Sequence, residues 1–249
     1  MSRNPIIPGR ILAVLVTAVL AVAPALADDD AAFAEVRNTI AEKFEMISPQ
    51  DVKRSPIDGW YLLQKGSIIA YVSADGRYLL QGDLIDLESQ VNLSELSRNG
   101  ARRDLVAAFG DDRAIAFAPD DIKYKVTVFT DVDCTYCRKL HNEIDDYLDQ
   151  GIAVNYVLYP RNGPASKTWK TSQKVWCADD RGKALTAAKQ DRTFTSEQCD
   201  ASIITEHYAL GRDIGLTGTP AIVFEDGTLV GGYVGPAQLA ARLAQNAQK

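Results

Sequence analysis

The sequence has few of the side chains that bind transition metals: its 249 residues include only two histidines and four cysteines. A structural zinc ion needs four ligands, usually supplied as closely spaced pairs. Cys134, Cys137 and His141 could supply three. The fourth would have to be one of three distant residues, namely Cys177, Cys199 and His207. Because there is no second close pair, the sequence argues against zinc, and we predict no metal and no other cofactor.

Only one apolar run in the chain approaches the length of a membrane span. It reads ILAVLVTAVLAVAPALA, follows Arg3 and Arg10, and ends in small residues at Ala27. A basic start, an apolar middle and a small-x-small end are typical of a secretory signal peptide. An uncleaved anchor needs about 20 apolar residues, whereas this run is shorter and contains Pro24. A lipoprotein would need a cysteine at the cleavage site, and no cysteine lies near Ala27. We therefore predict a signal peptide over residues 1–27 and export of the remainder as a soluble protein.

An excess of basic residues is also missing. The chain has 27 Lys and Arg against 33 Asp and Glu, a net charge of −6. Cleavage of the signal peptide would remove Arg3 and Arg10 and leave a net charge of −8. This balance argues against nucleic acid or an anionic membrane surface as the main partner.

Export changes how the four cysteines are interpreted, because thiols outside the cytosol tend to be oxidised. Four cysteines allow three pairings. Cys134 and Cys137 are close neighbours in sequence, and pairing them leaves Cys177 with Cys199. A rival arrangement, with Cys177 and Cys199 as free thiols, is disfavoured in an oxidising compartment.

The first part of the exported chain predicts a small α+β domain over residues 28–89. Apolar residues in 30–44 recur at three- and four-residue steps, which indicates an amphipathic helix. Residues 52–86 contain short β-prone runs, and the Asp75-Gly76 step is a hairpin signal. A unit of this size buries little surface, so we expect it to depend on a partner chain or on the rest of the protein.

Residues 90–112 predict a linker helix between two domains. Asn92 followed by Glu95 resembles a helix N-cap with its reciprocal partner. The apolar stripe of this segment is thin and is interrupted by Gly100, which suits a connector. A helix packed on either domain fits the pattern equally well.

Residues 113–249 predict a second domain of mixed α/β type. YKVTVFT, the helical segment after Cys134 and GIAVNYVLY form a β-α-β unit with parallel strands. Helical segments at about 164–189 and 203–210 follow, and then a strand, a turn and a strand. Pro236 begins a last helix. This order is that of a thioredoxin-like domain with a helical insertion.

The Cys134–Cys137 pair predicts a redox centre. A c-type haem site would need histidine where the chain has Arg138. A purely structural disulfide would close so short a loop that it would stabilise little. If Asp133 or Cys134 begins the helix, the free N–H groups and about half a positive charge at its N-terminus favour the Cys134 thiolate. Cys137, one turn further, would be buried and could attack a mixed disulfide from within.

Thr219-Pro220 stands directly before a predicted strand. Proline cannot donate to a sheet, so a central strand tolerates it only at its first residue. In thioredoxin-like proteins this proline is cis and faces the CxxC pair, and the preceding peptide group can pair with an extended substrate. The alternative is a trans proline in a loop, the isomer that X-Pro bonds generally favour.

The chain resembles the DsbC-type thiol:disulfide interchange proteins of the Gram-negative periplasm, which include the DsbG branch. The resemblance spans the exported chain and is strongest at VTVFTDVDCTYCRKLH, WCADD, CDASIITEHYALG and GTPAIVFEDGTLVGGY. It implies an N-terminal dimerisation domain, a linker helix and a C-terminal thioredoxin-like domain. It also implies a V-shaped homodimer with an uncharged, apolar cleft and a membrane reductant of the DsbD type.

By position, the resemblance makes Cys134 the nucleophile, Cys137 the resolving cysteine and Pro220 the cis-proline. It pairs Cys177 with Cys199 in a structural disulfide. Its substrate contacts would be Thr219, Pro220, Thr135 and Tyr136.

One departure concerns the residues between the active-site cysteines. The isomerase branch most often has Gly-Tyr and DsbG has Pro-Tyr, whereas this chain has Thr135-Tyr136. The Thr135 hydroxyl could bond a cysteine sulfur. The resulting hypothesis is a periplasmic homodimeric isomerase that reshuffles wrong disulfides in misfolded exported proteins. Alternatives are a DsbG-like reductase of oxidised single cysteines or mainly a chaperone; a dithiol oxidase fits less well.

Overall fold

The computed structural model of the chain describes residues 23–248. Most of the predicted signal peptide, residues 1–22, lies outside the described residues. The first helix begins at Ala23, earlier than the predicted start, and ends at Ala41. It therefore runs through the predicted cleavage point after Ala27. No helix within the described range combines the length and the apolar character that crossing a bilayer requires.

An antiparallel sheet forms the centre of the N-terminal half. Its strands lie in the order β1-β2-β3-β4, and a separate ribbon joins β5 to β6. The elements are α1 (Ala23–Ala41), β1 (Val52–Arg54), β2 (Trp60–Lys65), β3 (Ile68–Ser73), β4 (Leu79–Leu80), β5 (Ile85–Asp86) and β6 (Val91–Asn92). The alternation of side chains along the strands buries residues on both faces of this sheet. One face packs Leu63 and Val72 with Ile40 of α1, and the other packs Leu62 with Tyr71.

Helix α2 (Leu93–Phe109) follows β6 directly and contacts both halves of the chain. The Asn92 side chain accepts from the Glu95 N–H at 2.9 Å, as the capping pattern predicted. Gln64 of β2 donates to the Ser97 carbonyl at 2.9 Å. Arg102, only 6 % exposed, donates to a carbonyl just after α7 (Ile203–Asp213) at 3.2 Å. The connecting helix is thus packed on both domains, whereas the pattern predicted a plain connector or packing on one of them. The exact domain boundaries remain predictions.

The C-terminal half has the predicted mixed α/β fold. Its sheet has the order β11-β10-β8-β9-β7, in which only β8 and β9 are parallel. The elements are β7 (Ile115–Phe117), β8 (Tyr124–Thr130), α3 (Thr135–Asn142), α4 (Ile144–Asp149), β9 (Ile152–Leu158), α5 (Lys167–Trp176), α6 (Arg181–Lys189), α7 (Ile203–Asp213), β10 (Ala221–Phe224), β11 (Leu229–Gly231) and α8 (Pro236–Asn246). The β8-α-β9 unit is confirmed, although its helix is divided at Glu143 into α3 and α4.

The helical insertion is α5 and α6, and a disulfide ties it to the segment before α7. Cys177 and Cys199 are joined, with their Cα atoms 5.5 Å apart. Helices cover both faces of the sheet, so β8 and β9 run through the centre of the core and are almost wholly buried. Strand β8 ends at Thr130, and the loop that follows it leads to Cys134 and Cys137.

Candidate active site

The two free cysteines lie at the start of α3. The chain leaves β8 at Thr130, and Cys134 is the N-cap residue of the helix. The Cys134 Sγ accepts from the Cys137 N–H at 3.3 Å. Both residues are buried, with 4 % of Cys134 and 1 % of Cys137 exposed. An N-cap sulfur that receives a first-turn N–H is the arrangement that stabilises a thiolate.

The two sulfurs differ in acidity. A hydrogen bond from the Cys137 side chain is the largest influence on Cys134. Together with the Cys137 N–H and the Arg161 charge, it outweighs the opposing effect of burial and lowers the Cys134 pKa to about 5. Burial, followed by the neighbouring Cys134, raises the pKa of Cys137 far above its usual value. One thiolate and one thiol therefore coexist at neutral pH, with the thiolate on the outer sulfur.

Asp131 and Arg161 support the loop that precedes Cys134. Asp131 is 1 % exposed and accepts from the Asp133 N–H at 2.9 Å and from the Arg161 N–H at 3.0 Å. The Arg161 guanidinium also donates to Asp131, at 3.2 Å. The sequence reading missed both residues. An acidic residue directly after a buried strand was a usable signal for Asp131, but nothing in the sequence places Arg161 beside it.

The Thr219-Pro220 peptide faces the cysteine pair and is cis. In its thiol form, Cys134 Sγ donates to the Thr219 carbonyl at 3.3 Å. The Thr219 Oγ1 is buried, and it has no hydrogen-bond partner within the described part of the chain. Pro220 is followed at once by β10. The structure thus brings Cys134, Cys137, Thr219 and Pro220 together.

The two residues between the cysteines point outward. Thr135 is exposed, and 61 % of Tyr136 is exposed. Cys134 accepts instead from a backbone N–H, and in residues 23–248 no hydrogen bond joins the Thr135 hydroxyl to either sulfur. The suggested hydroxyl–sulfur bond is therefore absent from this structure. Tyr136 offers an exposed aromatic ring beside the nucleophile.

The two histidines considered as zinc ligands have other hydrogen-bond partners. Both ring nitrogens of His141 have partners, the Tyr156 hydroxyl at 3.2 Å and the Thr186 hydroxyl at 2.9 Å. His207 is held between a backbone N–H and a backbone carbonyl. Residues 23–248 contain no cluster of three or more His, Cys, Asp or Glu side chains arranged for a metal ion.

A second notable surface lies on the N-terminal half, away from the cysteines. Large apolar side chains around β4, β5 and β6 are exposed to solvent; they are Tyr78 (54 %), Leu79 (50 %), Leu80 (49 %), Ile85 (48 %), Leu87 (86 %) and Val91 (40 %). We call these six residues the apolar patch. Large apolar side chains are exposed together in this part of the chain, and exposed apolar surface of such extent often marks a site of interaction.

Comparisons with known proteins match both halves of the chain. Residues 112–247 match the family described as "Thioredoxin-like domain", and residues 23–95 match "Disulfide bond isomerase protein N-terminal domain". The chain is 37% identical over 215 residues to the thiol:disulfide interchange protein DsbC of Dickeya dadantii, covering 86% of this chain and 87% of that one. It is 33% identical over 211 residues to DsbC of Escherichia coli, covering 85% and 86%.

A solved structure matches part of the chain. The disulfide interchange protein from Neisseria gonorrhoeae has a TM-score of 0.50 and 30% identity, covering 56% of this chain and 99% of that one.

Proposed function

This chain belongs to the DsbC family of thiol:disulfide interchange proteins, and on that premise we propose that it is a homodimeric disulfide isomerase of the periplasm. The observation that carries the proposal is the geometry at the start of α3. The Cys134 Sγ caps the helix within 3.3 Å of the Cys137 N–H, and Cys137 lies buried behind it. A stabilised outer thiolate backed by a protonated inner thiol can attack a disulfide and later be released.

The first step is attack of the Cys134 thiolate on a wrong disulfide in a misfolded client. A bond forms between Cys134 Sγ and one client sulfur, the client disulfide breaks, and its second sulfur leaves as a thiolate. With a pKa of about 5, Cys134 is ionised at neutral pH before any client arrives. The same low pKa makes its sulfur a good leaving group later.

The mixed disulfide can be resolved by either of two thiols. A client thiol can attack it, which forms a new client disulfide and regenerates the Cys134 thiolate; this is isomerisation. Alternatively Cys137 attacks Cys134, which releases the client reduced and leaves the enzyme with a Cys134–Cys137 disulfide. A membrane reductant of the DsbD type would then be needed to restore the dithiol.

Client chains would bind across the surface between Tyr136 and Thr219. Tyr136 and Thr135 are exposed beside the nucleophile, and the Thr219 carbonyl lies 3.3 Å from the Cys134 sulfur. An extended client segment would pair with the Thr219 peptide and stack on Tyr136. Pro220, lacking an N–H, limits sheet pairing at that point.

The apolar patch supports the homodimer. The N-terminal half is small enough to be only marginally stable alone, and it exposes leucines that a second copy would cover. Two copies joined there would enclose a cleft between their active sites. Apolar side chains lining this cleft would also hold unfolded clients, which is the chaperone-like part of the proposal.

The test is a pair of serine variants assayed on a scrambled, disulfide-containing model protein. Cys134→Ser should abolish recovery of native disulfides, because the attacking thiolate is gone. Cys137→Ser should retain the attack and accumulate enzyme–client mixed disulfides that run as reductant-sensitive bands on a gel. Full isomerase activity of Cys134→Ser would defeat the proposal. Rapid reduction of lone oxidised cysteines without isomerisation would favour the DsbG-like reductase.

A further inference from the structure

Lys189, the last residue of α6, is a buried cation that the mechanism above does not use. Only 2 % of the residue is exposed. Lysine is almost never fully buried unless it is paired, because removing an ammonium group from water is unfavourable. Nevertheless, no ion pair joins Lys189 to a carboxylate anywhere in residues 23–248, although other lysines there form such pairs. Because no carboxylate pairs with this ammonium, we expect its partner to be a neighbouring group that becomes negatively charged only during the reaction.

The ammonium of Lys189 lies beneath the active site. Its Nζ donates to the Thr130 Oγ1 at 2.7 Å, and Thr130 ends the strand that leads into the Cys134 loop. The Nζ is also 5.6 Å from the centre of the Tyr156 ring on β9. Nearby, His141 of α3 bonds the Thr186 hydroxyl of α6 at 2.9 Å, which fixes the end of α6 against the active-site helix.

The charged and titratable groups around this ammonium point to one partner. Cys137 lies one turn before His141 on α3, and Lys189 lies one turn after Thr186 on α6, so the His141–Thr186 hydrogen bond draws the two residues' helices together. Among the charged groups, Cys137 also has the largest influence on the Lys189 pKa, followed by Cys134, Asp131 and Arg138. Asp131 already accepts from Arg161, and Arg138 is paired with Asp191 and Asp133 on the surface. Cys134 receives its own stabilisation from the helix N-terminus. The remaining group is Cys137, which is buried. The Arg161 charge also acts on Cys137, but Arg161 is already bonded to Asp131.

We propose that Lys189 is a positioning residue for the resolving step, in which its ammonium stabilises the thiolate that forms on Cys137. In this step the Cys137 sulfur bonds to Cys134 Sγ and the bond from Cys134 to the client breaks. The electron pair of that bond leaves on the client sulfur, which takes up the proton that Cys137 has lost. Lys189 keeps its own proton throughout and contributes only its charge.

The acid–base behaviour of the two groups agrees with this role. Burial raises the pKa of Cys137, and the Lys189 charge is the largest influence that opposes it. Burial lowers the Lys189 pKa and negative charge on Cys137 opposes that shift, with a net pKa of about 8. Lys189 is therefore mainly an ammonium group at neutral pH, and its help should fade as the pH rises above about 8.

The experiment mixes the reduced protein with one equivalent of an aromatic disulfide that releases a coloured thiolate, the Ellman reagent. The first release reports attack by Cys134 and the second reports attack by Cys137. Lys189→Met should slow the second release by about tenfold at neutral pH, the order expected for loss of one buried unit charge. The first release should change by less than about threefold, since Cys134 is stabilised mainly by the helix start.

The matched control is Lys183→Met, which removes a lysine of the same helix whose side chain is 89 % exposed. It should leave both releases unchanged. Lys189→Arg, which keeps the charge, should restore part of the second release. A second release in Lys189→Met with the same rate and pH profile as the parent would overturn the proposal. Equal slowing of both releases, with a lower melting temperature, would also overturn it by showing a merely structural role.

Thr130 provides an independent test if Lys189→Met does not fold. Thr130→Val removes the hydroxyl that holds the ammonium, and Thr130→Ser keeps it. The valine variant should be slower in the second release than the serine variant, and equal rates would refute the idea. The inference rests on Cys137 being the resolving cysteine. Absence of a second release in the parent protein would defeat the proposed function, whereas a normal one in Lys189→Met defeats only the role of Lys189.

Discussion

The two halves of this chain bury their apolar residues in different ways. The C-terminal half packs most of its large apolar side chains into two clusters on the two faces of one sheet. The N-terminal half has two small clusters and leaves the apolar patch in solvent. The half that performs chemistry is therefore complete in one chain, and the half without a reactive group is incomplete. The difference agrees with the proposal that the N-terminal half serves assembly, and the cysteine pair and Thr219-Pro220 come together within one chain.

The largest expected effect comes from placing charge in the apolar patch. Leu80→Asp combined with Leu87→Asp should weaken self-association by at least roughly a hundredfold, because burying unpaired carboxylates is strongly unfavourable. Sedimentation should then give a monomer. Isomerase activity and protection of a cysteine-free client from aggregation should fall with it, while single-turnover attack by Cys134 should be unchanged.

The matched control for this prediction is Ile122→Asp, which changes an exposed apolar residue (54 %) of the C-terminal half. It should leave the oligomer intact. If the double variant sediments as the parent does, the apolar patch is not the dimer interface and the contrast between the two halves loses its explanation.

A smaller effect concerns stability in mild acid. We expect the C-terminal half to lose more stability than the N-terminal half, because both histidines are in the C-terminal half. His207 Nε2 donates to the Arg113 carbonyl at 2.8 Å, and Nδ1 accepts from the Leu158 N–H at 3.1 Å. Burial lowers the pKa of His207 to about 4 and that of His141 to about 3. Protonating His207 would place a new N–H against the Leu158 N–H.

The sign of this effect follows from proton binding. Between the ordinary histidine pKa of 6.5 and the lowered values, the unfolded chain binds more protons than the folded one. Stability of the C-terminal half is therefore complete above that range and is lost as the pH falls through it. By pH 5 the loss should be on the order of 2 kcal/mol for each histidine. The N-terminal half has no histidine. Hydrogen bonds from Asn92 and Arg98 lower the pKa of its Asp83, so this half should lose stability only at lower pH.

Urea unfolding followed by tryptophan fluorescence measures this difference. Trp60 belongs to the N-terminal half, and Trp169 and Trp176 belong to the C-terminal half. Trp60→Phe reports unfolding of the C-terminal half, and Trp169→Phe with Trp176→Phe reports that of the N-terminal half. Between pH 7 and pH 5 the midpoint should fall more in the first variant; parallel falls would contradict the role of the histidines.

Local signals were sufficient to predict much of the fold. The cap at Asn92, the β-α-β unit and the Asp75-Gly76 turn depend on residues close in sequence, and the structure contains all three. Strand β7 was missed because three residues at a sheet edge give too short a pattern. The start of α1 was missed because an alanine-rich leader has no stop signal before the amphipathic segment.

The residues of the site also fall into two groups, those that a short sequence motif predicts and those that depend on long-range contacts. The CxxC spacing and Thr219-Pro220 could be found because each is a short motif with its own chemistry. Arg161 and Lys189 could not, because their contacts with Asp131 and Thr130 join segments far apart in sequence. A lysine in a helix is usually a surface residue. Only the packing of α6 under the active site turns Lys189 into a buried charge.

The smallest effect concerns the contact between the two halves at the β2–β3 turn. Ser67 donates to the Asp213 carbonyl at the end of α7 through its N–H at 2.8 Å and its hydroxyl at 3.0 Å. Gly66 has a φ of +58°, and a Cβ there would lie 2.5 Å from that same carbonyl oxygen. Gly59, with a φ of +76°, has open space around it. Gly59 is therefore the control, because it has the same left-handed backbone as Gly66 but no atom that an added Cβ would contact.

Gly66→Ala and Gly59→Ala should both lose about 1 kcal/mol of stability from the left-handed backbone alone. Only Gly66→Ala should lose about 1 kcal/mol more, because the turn must move away from α7 and give up the Ser67 hydrogen bonds. Hydrogen exchange at the Ser67 amide should accelerate in Gly66→Ala and not in Gly59→Ala. Equal stability and exchange in the two variants would show that the halves are joined through α2 alone, which would leave the N-terminal half free to reorient around the active site.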